Sequence, residues 1–291
     1  MTKILLLGHT GKMGLALYKV LQKEYDVICK NSLDFDATNF VQVEEMVVEV
    51  QPDIVINTVA FHGIDSCEKE PERALTINTL FVKLLSELSN KMNFLLVHFS
   101  TDAVFNNQKN FTYVESNTPK PINIYGLTKY GADCFIQAIS NKYYIIRYSL
   151  LFGENPRNNQ LIEKTLYKIK AGEEIRMADD VVCSPSYSLD IAKEVKRILN
   201  SSLPYGIYHV VNRGKATLYE IIVEAAKLLN ISPNIKKASH LDFGHLALKN
   251  TDTLLTSEKI NTLRPWQDAL KDYLENFKKE MQVIGEESIS K

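Results

Sequence analysis

The chain has 291 residues, 45% of them hydrophobic and 24% charged, which is enough apolar material for a sizeable core and excludes global disorder. Its 34 basic and 35 acidic residues give a formal charge of -1, so there is no electrostatic footprint for nucleic acid or a membrane surface. The length suits one large α/β domain, or one with a smaller companion.

The first half alternates short apolar runs with longer helical patterns. Residues 4–7 read as a strand, and Gly8-x-x-Gly11-x-x-Gly14 follows at once. A helix is expected over 15–22 and a second strand over 26–29. Residues 40–50 are apolar at Phe40, Val43, Val47 and Val50, close to a period of 3.6. A third strand over 53–57 leads to one long helix over 72–90, with Leu75, Leu80, Leu84, Leu85 and Leu88 on a broad face. A fourth strand over 94–99, a helix over 123–140 and a fifth strand over 143–147 complete this half. The strand runs are not polar-alternating, which suits strands covered on both faces. Repeated β-α units with right-handed crossovers build a doubly wound parallel sheet.

Beyond residue 151 the rhythm changes. Residues 153–159 are polar and turn-forming, and helices are expected over 161–170 and 188–199, with a strand over 207–211. Thr217-Leu218-Tyr219-Glu220 is a capping box before an apolar helix over 221–229. A last amphipathic helix is expected over 267–278. The predicted class is therefore a Rossmann-type α/β fold with a smaller C-terminal α/β substrate domain. Residues 1–152 and about 184–212 form the dinucleotide-binding part, 153–183 and 213–282 the substrate-binding part, and 283–291 a disordered tail.

Cys29, Cys67, Cys134 and Cys183 show no metal-ligand spacing and read as reduced thiols. His9, His62, His98, His209, His240 and His245 show none either, so no metal is expected. His98 reads as a core residue of a buried strand. The N-terminal apolar run is too short for a signal peptide, and no run approaches membrane-spanning length. A cytoplasmic protein is expected.

The glycine motif follows a strand and opens a helix. Glycines there allow a tight turn, close backbone approach to a pyrophosphate and close helix–strand packing, while the helix N-terminus offers N–H groups to phosphate. Gly8, Thr10, Gly11, Lys12, Met13 and Gly14 are thus candidate cofactor contacts. Lys30, at the end of the second strand, leans toward a 2′-phosphate and NADP, or is simply a solvated lysine. Asp36 and Ala37 would approach the adenine.

Tyr125 and Lys129 are four residues apart and share a helix face. An ammonium beside a phenol lowers the phenol's pKa toward the range useful for proton transfer. Ser100-Thr101 ends the fourth strand, and ligands of open α/β sheets bind outside the carboxyl ends of strands where their order reverses. In a 3-2-1-4-5-6 order that point lies between strands one and four. Arg147 reads as a structural ion pair. His62 and Asp65 either line the crevice or form a plain loop, and Arg157, Asn158 and Asn159 either contact diphosphate or sugar or form a surface turn.

Together these stretches resemble an extended short-chain dehydrogenase/reductase, most closely the dTDP-4-dehydrorhamnose reductase group. The resemblance is carried by residues 8–14, 52–57, 97–105, 119–129, 146–153 and 264–270. It implies a catalytic triad of Thr101, Tyr125 and Lys129, NADPH or NADH as cofactor, and a nucleotide-linked 4-keto-6-deoxy sugar as substrate. It also implies Ala60 and Asn78 near the cofactor, and substrate contacts at Ser100, Thr101, Asp102, Ala103 and Tyr125. Surface polysaccharide precursors are the expected destination, and a homodimer is compatible with the family. The chain departs from the family pattern at Ala103, Asn106-Asn107, Cys183-Ser184-Pro185-Ser186 and Lys249-Asn250. A 4,6-dehydratase needs a carboxylate where Ala103 stands. A C4-epimerase and a non-catalytic NADP-binding subunit are the remaining alternatives.

Overall fold

The computed structural model describes residues 1–155, 161–232 and 234–287. Six strands form one parallel sheet: β1 (Lys3–Leu7), β2 (Asp26–Lys30), β3 (Ile54–Asn57), β4 (Leu95–Thr101), β5 (Tyr143–Tyr148) and β6 (Gly206–His209). The helices are α1 (Lys12–Leu21), α2 (Phe40–Val50), α3 (Phe81–Met92), α4 (Ile124–Ile139), α5 (Leu161–Lys170), α6 (Ser188–Leu199), α7 (Leu218–Leu228) and α8 (Trp266–Glu287). Strand side chains alternate between faces. Ile4 and Leu6 therefore pack with Leu17 of α1 and Val195 of α6. Leu5 and Leu7 pack on the other face with Val47 of α2, Leu85 of α3 and Ile136 of α4. A further core joins Phe152, Leu166, Ile222, Leu270 and Phe277, away from the sheet.

The strand order is 2-1-3-4-5-6, not the expected 3-2-1-4-5-6. The cause lies after β2. Asn31 accepts from Leu33 N, Asp34 from Asn31 N, and Asp36 from Thr38 N. Side chains that bond their own neighbouring backbone favour turns over ladders. No third strand is added outside β2, and the next strand crosses to pair with β1 on its other side. The reversal of strand order thus falls between β1 and β3, and β4 stands one strand farther away.

Two helices also differ from expectation. The helix expected over 72–90 is broken into Pro71–Leu75, a π turn at Thr76–Leu80, and α3. The last helix is longer than the expected 267–278 and runs to Glu287; 288–291 lie outside the described residues. All four cysteines are free. Among the described residues no helix is long and apolar enough to cross a membrane, and no group of His, Cys, Asp and Glu could hold a metal ion.

One buried ion pair ties α4 to the sheet. Arg147 of β5 donates from Nε and Nη2 to Asp133 Oδ2 of α4, at 3.0 and 2.8 Å. Both side chains are shielded from water, and the guanidinium also lies over the Phe105 ring. Removing one partner strands the other charge in low dielectric. Asp133→Ala is therefore expected to lower stability by about 3–5 kcal/mol, measured by urea unfolding at neutral pH. Asp133→Leu combined with Arg147→Met should recover most of that loss.

Candidate active site

The glycine loop forms one wall of a cavity of about 900 Å³ at the carboxyl ends of the strands. Gly8 has φ +84, and a Cβ there would lie 2.7 Å from Thr58 Oγ1. A Cβ on Gly14 would lie 2.4 Å from Gly8 O. Gly14 therefore serves helix–loop packing and does not line the cavity. Gly11 is the extended N-cap of α1 and supplies no side-chain cap, leaving the first N–H groups of the helix without a side-chain partner. A small-residue turn before a helix N-terminus without a side-chain cap fits the pyrophosphate of a dinucleotide.

The other expected cofactor residues divide. Thr10, Lys12, Met13, Asp36, Ala37 and Ala60 line the same cavity. Lys12 Nζ donates to Leu151 O at 3.0 Å, and burial lowers its pKa against the pull of Glu163. Asp36 is engaged by both the N–H and the hydroxyl of Thr38. Lys30 lends its carbonyl to Gly8 N, but Asn31 and Ser32 occupy the cavity wall beside it. The positive charge assigned to a 2′-phosphate from the sequence is thus not on the wall. Asn78 does not reach the cavity either. It is buried in the π turn, where it accepts from Phe61 N and donates to Phe61 O and Thr128 Oγ1. It holds the loop after β3 against α4.

Thr101 and Tyr125 meet at the cavity's inner end. Asn123 caps α4 by accepting from Gly126 N at 2.8 Å, and Glu68 accepts from Ile124 N. The Asn123 amide also donates to Leu248 O and Asn250 Oδ1, so the departure at Lys249-Asn250 bears on the start of this helix. Gly126 is needed for the approach: a Cβ there would lie 2.1 Å from Ala103 O. Thr101 Oγ1 accepts from Ala103 N and donates to Asp102 Oδ1. Asp102 Oδ2 accepts from Ser149 and Thr253, each at 2.6 Å. Burial raises the Asp102 pKa, while these hydroxyls pull it back. Ser100, by contrast, is buried and lines neither cavity. Asn158 and Asn159 lie outside the described residues.

Lysine and phenol do not pair as the sequence suggests. Lys129 Nζ is 2.9 Å from His98 Nε2 and donates to Phe99 O at 2.6 Å. Burial, followed by Tyr148, pushes the Tyr125 phenol well above its ordinary value; the Thr101 hydroxyl, hydrogen-bonded to it, offsets only part. Tyr125 thus holds its proton, as a donor must. Lys129 is itself lowered to about 8 by burial, against the pull of Asp133. His98 and Asn57 sit in register on neighbouring strands, both fully buried. His98 is thus more than the core residue expected from its strand, and the polar pair it forms with Asn57 at facing positions of two buried strands is the mark of it.

A second cavity of about 470 Å³ is also lined by Thr101 and Tyr125. It shares Thr101, Asp102, Tyr125, Ser149 and Leu150 with the first. Ala103, Cys183, Lys249 and Asn250 also line it, whereas Asn106 and Asn107 do not. Arg176, His240 and His245 add cationic or ionisable groups to an otherwise largely apolar wall. These three come from regions far from the glycine loop in sequence, and no spacing pointed to them.

The lowered pKa of Lys129 has a stability consequence. Between about 8 in the folded chain and the ordinary 10.5, the unfolded chain binds more protons at this position. Stability then rises with pH through that window. The wild-type protein is expected to gain stability relative to Lys129→Met as pH rises from about 8 toward 10.5, read from paired urea titrations. An unchanged difference would show that burial does not depress this amine.

Comparison with known proteins agrees with this geometry. Spore coat polysaccharide biosynthesis protein SpsK of Bacillus subtilis (strain 168) is 31% identical over 280 residues, covering 94% of this chain and 98% of that protein. The dTDP-4-dehydrorhamnose reductase of Escherichia coli (strain K12) is 29% identical, covering 80% of this chain and 81% of that one. The crystal structure of dTDP-4-dehydrorhamnose reductase from Bacillus anthracis str. Ames, in complex with NADP, superposes with a TM-score of 0.90 at 29% identity, covering 95% and 100% of the two chains. Residues 1–279 match the family described as RmlD substrate binding domain. With its glycine loop, shared wall and Tyr125/Lys129 helix, the chain belongs to that family, within the extended short-chain dehydrogenases/reductases.

Proposed function

We propose that the chain is an NAD(P)H-dependent reductase of a nucleotide-linked 4-keto-6-deoxy sugar, supplying a precursor for surface polysaccharide. The observation that carries this reading is the wall of Thr101 and Tyr125 shared by the two cavities. A carbonyl in the second cavity would there face a cofactor in the first. The relatives named dTDP-4-dehydrorhamnose reductase and the NADP in one of them support the sugar class and NADP(H). In this reading residues 153–183 and 213–282 form the substrate-binding part, and the protein works in the cytoplasm.

When bound, the cofactor supplies the hydride. The chain's own residues do the rest. Gly8, Gly11 and the start of α1 would hold the pyrophosphate. Thr101, once its hydroxyl turns from Asp102 to the substrate, orients the carbonyl oxygen and stabilises it as charge develops. Tyr125, a phenol that is protonated at neutral pH and pushed further that way by burial, delivers its proton to that oxygen. Lys129 anchors the helix face beneath the phenol through Phe99 O and His98. Arg176, beside its partner Asp242, and Lys249 put basic side chains on the second cavity that suit a diphosphate. Ala103 puts a methyl where elimination of water would need a carboxylate, which favours reduction over dehydration.

The test is oxidation of added NADPH in the presence of dTDP-4-dehydrorhamnose. Tyr125→Phe is expected to slow turnover by roughly 10²–10⁴-fold while NADPH binding, read by fluorescence, stays intact. A wild-type protein that consumes no cofactor with any 4-keto sugar nucleotide would overturn the reading. Unchanged turnover in Tyr125→Phe would remove the phenol from its role.

A further inference from the structure

A chain of hydrogen bonds runs behind the site, and its direction is fixed at one end. Val59 N donates to Asn57 Oδ1 at 2.9 Å. A backbone N–H can only donate, so this bond assigns the Asn57 oxygen and leaves its NH2 facing His98 Nδ1, at 3.2 Å. Nδ1 must then accept, and a neutral imidazole carries its proton on Nε2. That Nε2–H faces Lys129 Nζ at 2.9 Å. An ammonium has no lone pair to receive it, whereas a neutral amine does. The amine can still donate to Phe99 O.

The complete chain therefore exists only when Lys129 is neutral. When Lys129 is an ammonium, it must donate to Nε2, which moves the imidazole proton to Nδ1. Nδ1–H then confronts the Asn57 NH2, donor against donor, a clash relieved only when the amide turns over and gives up its bond from Val59 N. His98 and Asn57 are fully buried, so no water competes to repair it. We propose that His98 is a tautomer switch, which reads the ionisation of Lys129 and passes it through Asn57 to Val59 on the wall of the glycine-loop cavity.

The proton balance is simple. In going from ammonium to amine, one proton leaves for solvent. His98 stays neutral throughout, its single proton passing from Nδ1 to Nε2. The groups that bear on Lys129 come from each surrounding element. Asp133, one turn along α4, favours the ammonium, though Arg147 of β5 engages its other side. His62, in the loop after β3, feels the Lys129 charge. Tyr125, one turn earlier, is a neutral phenol, and Asp102 lies beyond it at the end of β4. By reciprocity, a ligand that presses on the Val59 segment shifts the ionisation of Lys129. His98 is thus a positioning residue for Lys129 and not itself a catalytic one.

The experiment is ring 15N NMR of the histidines in the full chain, titrated between about pH 6 and pH 10. The His98 signals are assigned by their loss in His98→Asn. The expected result is an Nδ1–H tautomer at low pH that converts to Nε2–H as pH rises. Lys129→Met should fix Nε2–H throughout. Asn57→Asp preserves shape but replaces the NH2 by an acceptor, so it should fix Nδ1–H throughout and keep Lys129 charged. A single tautomer across the range in the wild type, or a conversion that survives Lys129→Met, overturns the proposal, as does wild-type behaviour in Asn57→Asp. None of these readouts depends on turnover, so they stand apart from the reductase assignment.

Discussion

The close seating of α4 on the end of β4 is the constraint on which the site depends. At Gly126 the helix approaches the Ala103 carbonyl too closely for any side chain. That contact brings Tyr125 beside Thr101. Three separate devices hold it. Asn123 and Glu68 satisfy N–H groups at the first turn. Thr79 Oγ1 donates to Thr128 O at 2.6 Å in the second. The Asp133–Arg147 pair fixes the third against β5. Each comes from a different part of the chain, so the helix is located by tertiary contacts more than by its own propensity.

Burial then sets the chemistry. The phenol, the Asp102 carboxyl and the Lys129 amine all sit where charge is disfavoured. The consequence is a proton-bearing tyrosine without a lysine paired to it. A reductase needs the protonated form, which a phenol already holds at neutral pH and which desolvation reinforces. Lys129, expected from the sequence to pair with the phenol, is instead held between a carbonyl and an imidazole.

Much of this was legible in the sequence. The unbroken apolar runs announced strands covered on both faces, and α2 was read to its ends because its period of 3.6 is clean. The glycine spacing gave the loop, since Gly8 and Gly14 each fill a place where a side chain cannot go. Strand order was misread because it depends on whether residues 31–39 make a ladder or a turn, and short Asn and Asp side chains decided for the turn. His98 was misread for a related reason. Burial was foreseeable from its strand, but its partners Asn57 and Lys129 are 41 and 31 residues away. Lys30 shows the limit of a rule tied to strand ends, for the cavity wall passes to the next two residues.

The π turn at Thr76–Leu80 sets the phase of everything before α3. Such a turn holds one residue more than regular helix needs. Asn78 and Thr79 face Thr128 because of that surplus. Shortening the segment by a single residue would let an ordinary α-helix form, with its pattern rotated by about 100°. The helix would be more regular, and the clasp on the Tyr125 helix would be gone. The site thus rests on a local irregularity that a smoother helix would erase.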